Sequence, residues 1–505
     1  HSNTTGNCNI AIGKQALCEN TTGCYNTAMG HNALFSSLTG CHNFAAGQCA
    51  LYSNSGGHYN IGIGYLALKC NTTGDYNTAI GYQSLRQNTT GHRNFASGEN
   101  ALLSNTTGYY NHAIGANAMR CNTIGAYNNA IGSDNLRANT EGNYNSVLGY
   151  RSLNCNTTGN CNTAIGYQSL RQNTTGSNNF AVGGHSLECN TTGCFNTALG
   201  NKAMTLSLSG NHNFAAGQCA LYSNCGGCWN TAIGCKTLRD NTYGRDNNAI
   251  GYRALQSNTT GSYNNGIGSD ALYANTTGTR NVAIGGYGAL CSNTTGSDNS
   301  AMGDYALAAN ISGNFNQAIG YQALRCNTTG CHNTALGQSA LRCSLSGCYN
   351  FAAGCYALGS TWGGCYNNAI GAGALRCNTT GGWNNAFGPE ALWSNTTGNN
   401  NQAIGSNALK DNTTGSDNTA LGYTALWNNT TGSHNAAIGS QALDKNTTGV
   451  CNTAIGKSAL KSNTTGGCNV ALGPGALQNS LSGCHNFAAG YNTLYSNWGG
   501  CWNTA

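Results

Sequence analysis

The sequence predicts an all-β protein, a parallel β-solenoid or β-roll of about thirty 17-residue rungs. Three features lead to this prediction: an unbroken 17-residue period, glycine at two fixed places in each period, and apolar segments too short to bury a core alone. Units of this kind are stable only when they stack, so that each rung contacts its neighbours along one axis.

The period is set by a glycine that recurs every 17 residues from Gly13 to Gly285 and again from Gly303 to Gly490. One extra residue near Gly286 shifts the frame once. No segment lies outside the repeat, which overrides the usual expectation of several domains for 505 residues. We therefore predict a single continuous β-solenoid over residues 1–505.

We number the unit from its first asparagine, which is present in all thirty units from Asn9 to Asn503. Position 5 is glycine, position 9 is leucine except at Met119 and Met204, and position 15 is glycine. Two glycines per unit exclude a helix and indicate turns. The two segments between them, positions 1–4 and 7–14, are expected to bond to their copies one unit away and form parallel sheets.

A volume exchange orients the first segment. Where position 2 is phenylalanine, position 4 shrinks, as in Phe44 with Ala46 and Phe95 with Ser97. Alternate residues of a strand share a face, and packed interiors penalise changes of volume. We expect positions 2 and 4 to pack inward with the leucine of position 9. Position 3, usually alanine, then points the other way, against a neighbouring chain or as a small-residue surface.

The asparagine at position 1 has two structural interpretations. Its side-chain amide can bond up and down the stack as an asparagine ladder, or it can fix a corner through a local Asx turn. Neither interpretation is catalytic.

Composition excludes several classes of function. Charged residues are 7% of the chain, against about 25% in ordinary soluble proteins, and the formal charge of +6 is not clustered. A nucleic-acid or membrane surface would need clustered basic residues. The eleven histidines have no recurring acidic or serine partner, so we expect no enzyme, no cofactor and no metal site.

Twenty-seven cysteines indicate an extracellular protein with disulfides. Two geometries are open: closure of a loop within one unit, as between Cys189 and Cys194, or pairing of adjacent rungs about 5 Å apart. The odd total leaves at least one thiol free or joined to another chain. The candidates are Cys24, Cys41, Cys189, Cys194, Cys326, Cys331, Cys348, Cys365, Cys451, Cys468, Cys484 and Cys501.

Position 12 starts the acceptor pattern for N-linked glycans in nineteen units. The alternative is a turn whose asparagine and threonine side chains form ladders. The candidate acceptors are Asn3, Asn20, Asn71, Asn88, Asn105, Asn156, Asn173, Asn190, Asn258, Asn275, Asn293, Asn310, Asn327, Asn378, Asn395, Asn412, Asn429, Asn446 and Asn463.

Paired units form a slower repeat, which shares S-L-(S/T)-G, an N-F-A-A-G segment and a Gly-Gly turn. These pairs occupy Ser37–Gly64, Ser207–Gly234, Ser344–Gly371 and Ser480–Ala505. They recur after ten, eight and eight units and indicate duplication of multi-rung blocks.

The N-(T/S)-A-I-G segment, as at Asn162–Gly166, resembles the YadA-like head repeats of trimeric autotransporter adhesins. The longer form at Asn316–Gly330 is similar to repeats of phage and bacterial tail-fibre-like proteins. The resemblance covers the whole chain and implies a left-handed parallel β-roll. It implies little about function, because such repeats serve as stalks, adhesive heads and fibres.

The expected function is structural: subunits of an extracellular filament or appendage that stack end to end and also associate laterally. This expectation starts from the absence of a polar cap at either end of the sequence, since open rungs invite pairing. The alternatives are an adhesin or receptor-binding fibre and, more distantly, an ice-binding protein that uses its threonine pairs. The partners in this expectation are further copies of the chain and covalent glycans.

Overall fold

The computed structural model describes residues 3–505, which form strands and turns but no helix, and therefore no helix that could span a membrane. The chain divides into two compact units, His1–Asn247 and Asn248–Ala505. Each unit is a parallel β-solenoid, which confirms the predicted fold class. The continuity of the two units as one solenoid stays a prediction.

Within residues 3–247 the first unit has fourteen strands. They are β1 (Ile10–Ile12), β2 (Thr27–Met29), β3 (Phe44–Ala46), β4 (Ile61–Ile63), β5 (Thr78–Ile80), β6 (Phe95–Ser97), β7 (His112–Ile114), β8 (Asn129–Ile131), β9 (Ser146–Tyr150), β10 (Thr163–Tyr167), β11 (Phe180–Val182), β12 (Thr197–Leu199), β13 (Phe214–Ala216) and β14 (Thr231–Ile233).

The second unit has fifteen strands. They are β15 (Asn248–Ile250), β16 (Asn265–Ser269), β17 (Val282–Tyr287), β18 (Ser300–Met302), β19 (Gln317–Ile319), β20 (Thr334–Leu336), β21 (Phe351–Ala353), β22 (Asn368–Ile370), β23 (Asn385–Phe387), β24 (Gln402–Ile404), β25 (Thr419–Leu421), β26 (Ala436–Ile438), β27 (Thr453–Ile455), β28 (Val470–Leu472) and β29 (Phe487–Ala489).

Within each compact unit, successive strands pair in parallel. Each residue lies opposite its equivalent one 17-residue repeat further on, as Ala164 lies opposite Ala181. The register shifts once, between β16 and β17, where Ser269 lies opposite Tyr287. This is the predicted insertion, and strand pairing resumes beyond it in the normal register. The one-residue insertion is therefore accommodated as a local bulge, which leaves the ladder intact.

The core faces the opposite way from the prediction. Position 3 is buried, with Ala164 fully inaccessible, whereas Ile165 at position 4 is 37% exposed. Position 3 packs against the leucine of position 9, since a Cβ added at Gly62 would lie 3.2 Å from Leu51 Cγ. The prediction that positions 2 and 4 point inward is wrong, while the inward leucine, as at Leu170, is confirmed.

The predicted second strand, positions 7–14, is also wrong. Positions 6–11 form a tight turn in which position 9 has a left-handed backbone, as at Leu170 with φ 51°. Such a conformation costs roughly 1–2 kcal/mol per L-residue. Each turn still bonds to the next rung, since the Leu170 N–H donates to Ser186 O at 2.9 Å. The rung is thus closed by one short strand and a series of turns.

The asparagine ladder at position 1 is confirmed. Asn162 Nδ2 donates to Asn145 Oδ1 of the preceding rung at 3.2 Å and to Gly176 O at 2.9 Å. Its Oδ1 accepts the backbone N–H and the amide of Asn179, at 3.0 and 3.2 Å. Each side chain therefore joins its own rung to both neighbours.

Candidate functional surfaces

The nineteen candidate glycan acceptors at position 12 lie, apart from the exposed Asn3, inside the wall of the solenoid. Asn173 is fully buried, and its Nδ2 donates to Asn156 Oδ1 at 2.8 Å and to Gly176 O at 2.9 Å. A glycan would be attached to this same nitrogen. Glycosylation at the eighteen buried sites therefore does not fit the folded chain, and position 12 is a second asparagine ladder.

All twenty-seven cysteines are free thiols, and none of the predicted disulfides is present in the structure. Cysteines at position 16 instead take part in a hydrogen-bonded column: the Cys331 N–H donates to Cys348 Sγ and the Cys348 N–H donates to Cys365 Sγ, both at 3.2 Å. Ser433 Oγ accepts the Ser416 N–H at 3.0 Å in the same position of the repeat. The cysteine sulfur at position 16 therefore accepts the same backbone hydrogen bond that the serine hydroxyl accepts in other repeats.

We expect all twenty-seven thiols to be alkylated without prior reduction, at different rates. Burial raises the pKa of the Cys343 and Cys348 thiols, and the neighbouring thiols Cys326 and Cys331 raise it further. Because the thiolate is the reactive form, these two should react more slowly than the exposed Cys451. Timed iodoacetamide labelling with mass spectrometry measures this order.

Labelling in denaturant serves as the control, because the rate differences should shrink once the fold is lost. A disulfide-linked peptide pair in the unreduced protein would contradict the free-thiol structure.

The outward face of the strands, which we call the sheet face, has a mainly apolar row at position 4 beside a row at position 2 that is polar in most repeats. Isoleucines such as Ile80, Ile404 and Ile455 are about two-fifths exposed on it. In each compact unit the position 4 row consists mainly of Ile, Leu and Met. It runs beside the position 2 row, which consists mainly of Thr, Asn and Phe. A continuous exposed row of large apolar side chains marks a site of association.

Aromatic side chains at position 17 stack in columns along each unit. In the first unit, Tyr25, His42, Tyr59 and Tyr76 are stacked with centroid separations of 4.9, 4.7 and 4.9 Å. In the second, a column of five rings ends at Trp383, 4.2 Å from the Tyr366 ring. Inside a column both ring faces are covered, so a sugar cannot stack there, and most of the position 17 row is structural.

The threonine pair offers only one open row. Thr174 Oγ1 donates to Thr191 O of the next rung at 3.0 Å, whereas Thr175 is exposed. Position 13 is therefore engaged within the wall, and position 14 is interrupted by other residues such as Glu141 and Tyr243. A single interrupted row is not the flat threonine array expected for ice binding, and we do not propose that function.

The insertion produces a cavity of about 370 Å³ beside Tyr273, Tyr287 and Cys291. Arg253 donates from Nε and Nη2 to the carboxylate of Asp270, at 2.8 and 3.0 Å. This hydrogen bond raises the pKa of Arg253. The Arg253 guanidinium and the Asp270 carboxylate therefore pair with each other. The rest of the recess is mainly apolar.

Residues 3–505 contain no group of three or more His, Cys, Asp or Glu side chains arranged to hold a metal ion. Surfaces that could take part in binding include the sheet face, the exposed aromatic side chains and the recess at the insertion. No protein-family model and no curated protein matches this chain.

Proposed function

We propose that the protein is a structural subunit of an extracellular filament or appendage, in which copies of the solenoid associate with one another. The observation that carries this proposal is the position 4 row of the sheet face, where exposed apolar side chains recur on strand after strand in each compact unit. Leaving such side chains in water forfeits roughly 25 cal/mol for every Å² that a partner could cover.

A second copy suits this surface because of its repeat. The side chains recur at the strand spacing of about 4.8 Å, and a partner with the same spacing can interdigitate along its length. The volume exchange between Phe44 and Ala46, or Phe351 and Ala353, lies on this exposed face. Water imposes no such limit on volume, whereas a packed partner surface does.

End-to-end stacking belongs to the same proposal. Strands of the solenoid bond to neighbours on both sides through one repeated register, as Thr163 does to Ser146 and Phe180. A rung from another copy would offer the same backbone groups at the same spacing. Axial stacking would lengthen the filament, and the sheet face would join filaments side by side.

The extracellular location belongs to the same proposal and is supported by the low charge of the chain and by the way its rungs are joined. The asparagine ladders join successive rungs through amide hydrogen bonds and do not rely on salt-sensitive ion pairs. The adhesin or receptor-binding fibre remains the second candidate function, favoured by the exposed Trp229 and Tyr243 beside one recess.

The proposal is tested by placing charge on the sheet face. We expect the wild-type protein to form filaments or bundles in negative-stain electron microscopy and to sediment as large species. Lysine in place of Ile404, Ile438 and Ile455 should prevent lateral association, because packing the sheet faces would bury three charges. Circular dichroism should show an unchanged fold, since these side chains face outward.

The matched control carries the same three charges in the same three units, at exposed turn positions: Thr414→Lys, Thr448→Lys and Thr465→Lys. This variant should associate as the wild type does. A wild-type protein that stays monomeric at high concentration, or equal association of both variants, would contradict the proposed filament.

A further inference from the structure

The paired 17-residue repeats that begin at Ser37, Ser207, Ser344 and Ser480 share one feature that the proposed filament does not require. In each pair the second unit has glycine at position 14: Gly56, Gly226, Gly363 and Gly499. Every other unit has a side chain there, most often threonine. The pairs have diverged at the preceding residue, which is Ser55, Cys225, Trp362 or Trp498.

The fold does not require glycine at position 14. None of the four has a left-handed backbone, and a Cβ at Gly56, Gly363 or Gly499 would have no atom closer than 3.6 Å. The next residue differs: a Cβ at Gly227 would collide with Gly244 O and Asn224 Oδ1. Position 15 is therefore glycine because the wall leaves no room for a Cβ atom. Glycine at position 14 is not needed for this reason, and its missing side chain leaves a notch in the surface.

At Gly226 the notch is occupied by an aromatic ring from the next 17-residue repeat, that of Tyr243. A Cβ here would lie 3.2 Å from Cδ1 and 3.3 Å from Cε1 of Tyr243. Any larger residue at position 226 would displace this ring. Glycine thus lets Tyr243 lie against the wall while its side chain remains exposed.

The Tyr243 ring forms one side of an open cleft of about 600 Å³. The cleft is lined by Gly226, Cys228, Trp229, Tyr243, Arg245 and Asp246. One face of Trp229 stacks on His212 at 4.0 Å. The next residue in that column is Asp246, which is not aromatic, so Trp229 is stacked on one side only and is 59% exposed. At Gly56 and Gly363 the neighbouring rings, Tyr59 and Tyr366, are stacked on both sides.

We propose that this cleft binds a neutral oligosaccharide. The exposed rings of Trp229 and Tyr243 suit the C–H faces of pyranose rings, while the carboxylate of Asp246 can accept hydrogen bonds from hydroxyl groups. One cation and one anion line the cleft together, which favours an uncharged ligand. This site goes beyond the filament proposal, because it gives the subunit a separate capacity to bind sugar.

The test uses the full chain with cellohexaose, chitohexaose, laminarihexaose and maltohexaose in isothermal titration calorimetry. At least one should bind, with a change in tryptophan fluorescence. Trp229→Ala should weaken binding about tenfold or more by removing the stacking face. Gly226→Thr, which installs the residue common in other units, should do the same by displacing Tyr243.

Gly56→Thr is the control: it fills an equivalent notch beside Tyr59, which is stacked on both sides, and it should leave the affinity unchanged. Because Trp229 is 59% exposed, its replacement leaves the core intact, and circular dichroism verifies the fold. The proposal is overturned if none of the four oligosaccharides binds, or if Trp229→Ala binds as tightly as the wild type.

Discussion

Alanine at Gly364 is expected to break the solenoid wall locally, whereas alanine at the adjacent Gly363 is expected to be tolerated. A Cβ on Gly364 would collide with Gly381 O of the next rung and lie 3.0 Å from Asn378 Nδ2. A Cβ on Gly363 would meet nothing closer than Ser346 Oγ at 3.7 Å. The two substitutions add the same atoms one residue apart.

The collision at Gly364 involves backbone and buried amides, which cannot move without breaking the ladders. The Gly364 carbonyl also accepts a hydrogen bond from Asn350 Nδ2 at 2.8 Å. We expect a loss of about 3 kcal/mol or more for Gly364→Ala, the upper range for overpacking, and less than about 0.5 kcal/mol for Gly363→Ala.

Thermal unfolding followed by circular dichroism, together with hydrogen exchange around residues 350–381, measures the difference. Exchange should accelerate in the rungs next to Gly364 in the first variant only, because solenoid rungs depend on their nearest neighbours. Equal unfolding temperatures for the two variants would show that position 15 is not packed as the structure places it.

The sequence was sufficient to predict the rung, its length, the turn glycines and the asparagine ladder at position 1, because each depends on strict repetition. The inward face of the strand could not be decided in this way. A Phe–Ala exchange at positions 2 and 4 is compatible with either a core or an outer interface. In a rung with one three-residue strand, the space opposite Leu51 admits only a small residue, so alanine marks the core.

The errors about surface chemistry have related physical causes. The pattern starting at Asn173 matches a glycan acceptor, but burial and the two hydrogen bonds of its amide decide its role. Cys348 suggested a disulfide because cysteines recur at the rung spacing, yet its sulfur accepts the backbone N–H of Cys331. The cleft at Trp229 depends on Gly226, and glycine frequency alone does not separate this glycine from those needed for packing.

Aspartate in place of Asn162 is expected to make stability strongly dependent on pH. The new carboxylate would keep the acceptor for Asn179 but would lose both donated hydrogen bonds, to Asn145 Oδ1 and Gly176 O. When ionised, it would also place a buried negative charge against those two oxygens. We expect a cost of about 3–5 kcal/mol at neutral pH, the range for an unpaired buried charge.

Burial and the facing oxygens should raise the pKa of this carboxyl above the unfolded value of about 3.9. The variant therefore approaches its greatest stability below pH of about 3.9 and loses it as the pH rises through the higher folded pKa. Unfolding temperatures measured from acidic to neutral pH, relative to the wild type at each pH, follow this loss.

Asn178→Asp provides the matched control, since it makes the same chemical change on an exposed side chain in the neighbouring turn. Its stability relative to the wild type should vary little with pH, because an exposed carboxylate keeps nearly its ordinary pKa. Parallel pH profiles for the two variants would mean that Asn162 faces solvent. A steep profile for Asn162→Asp alone would show that the buried amide column holds successive rungs together.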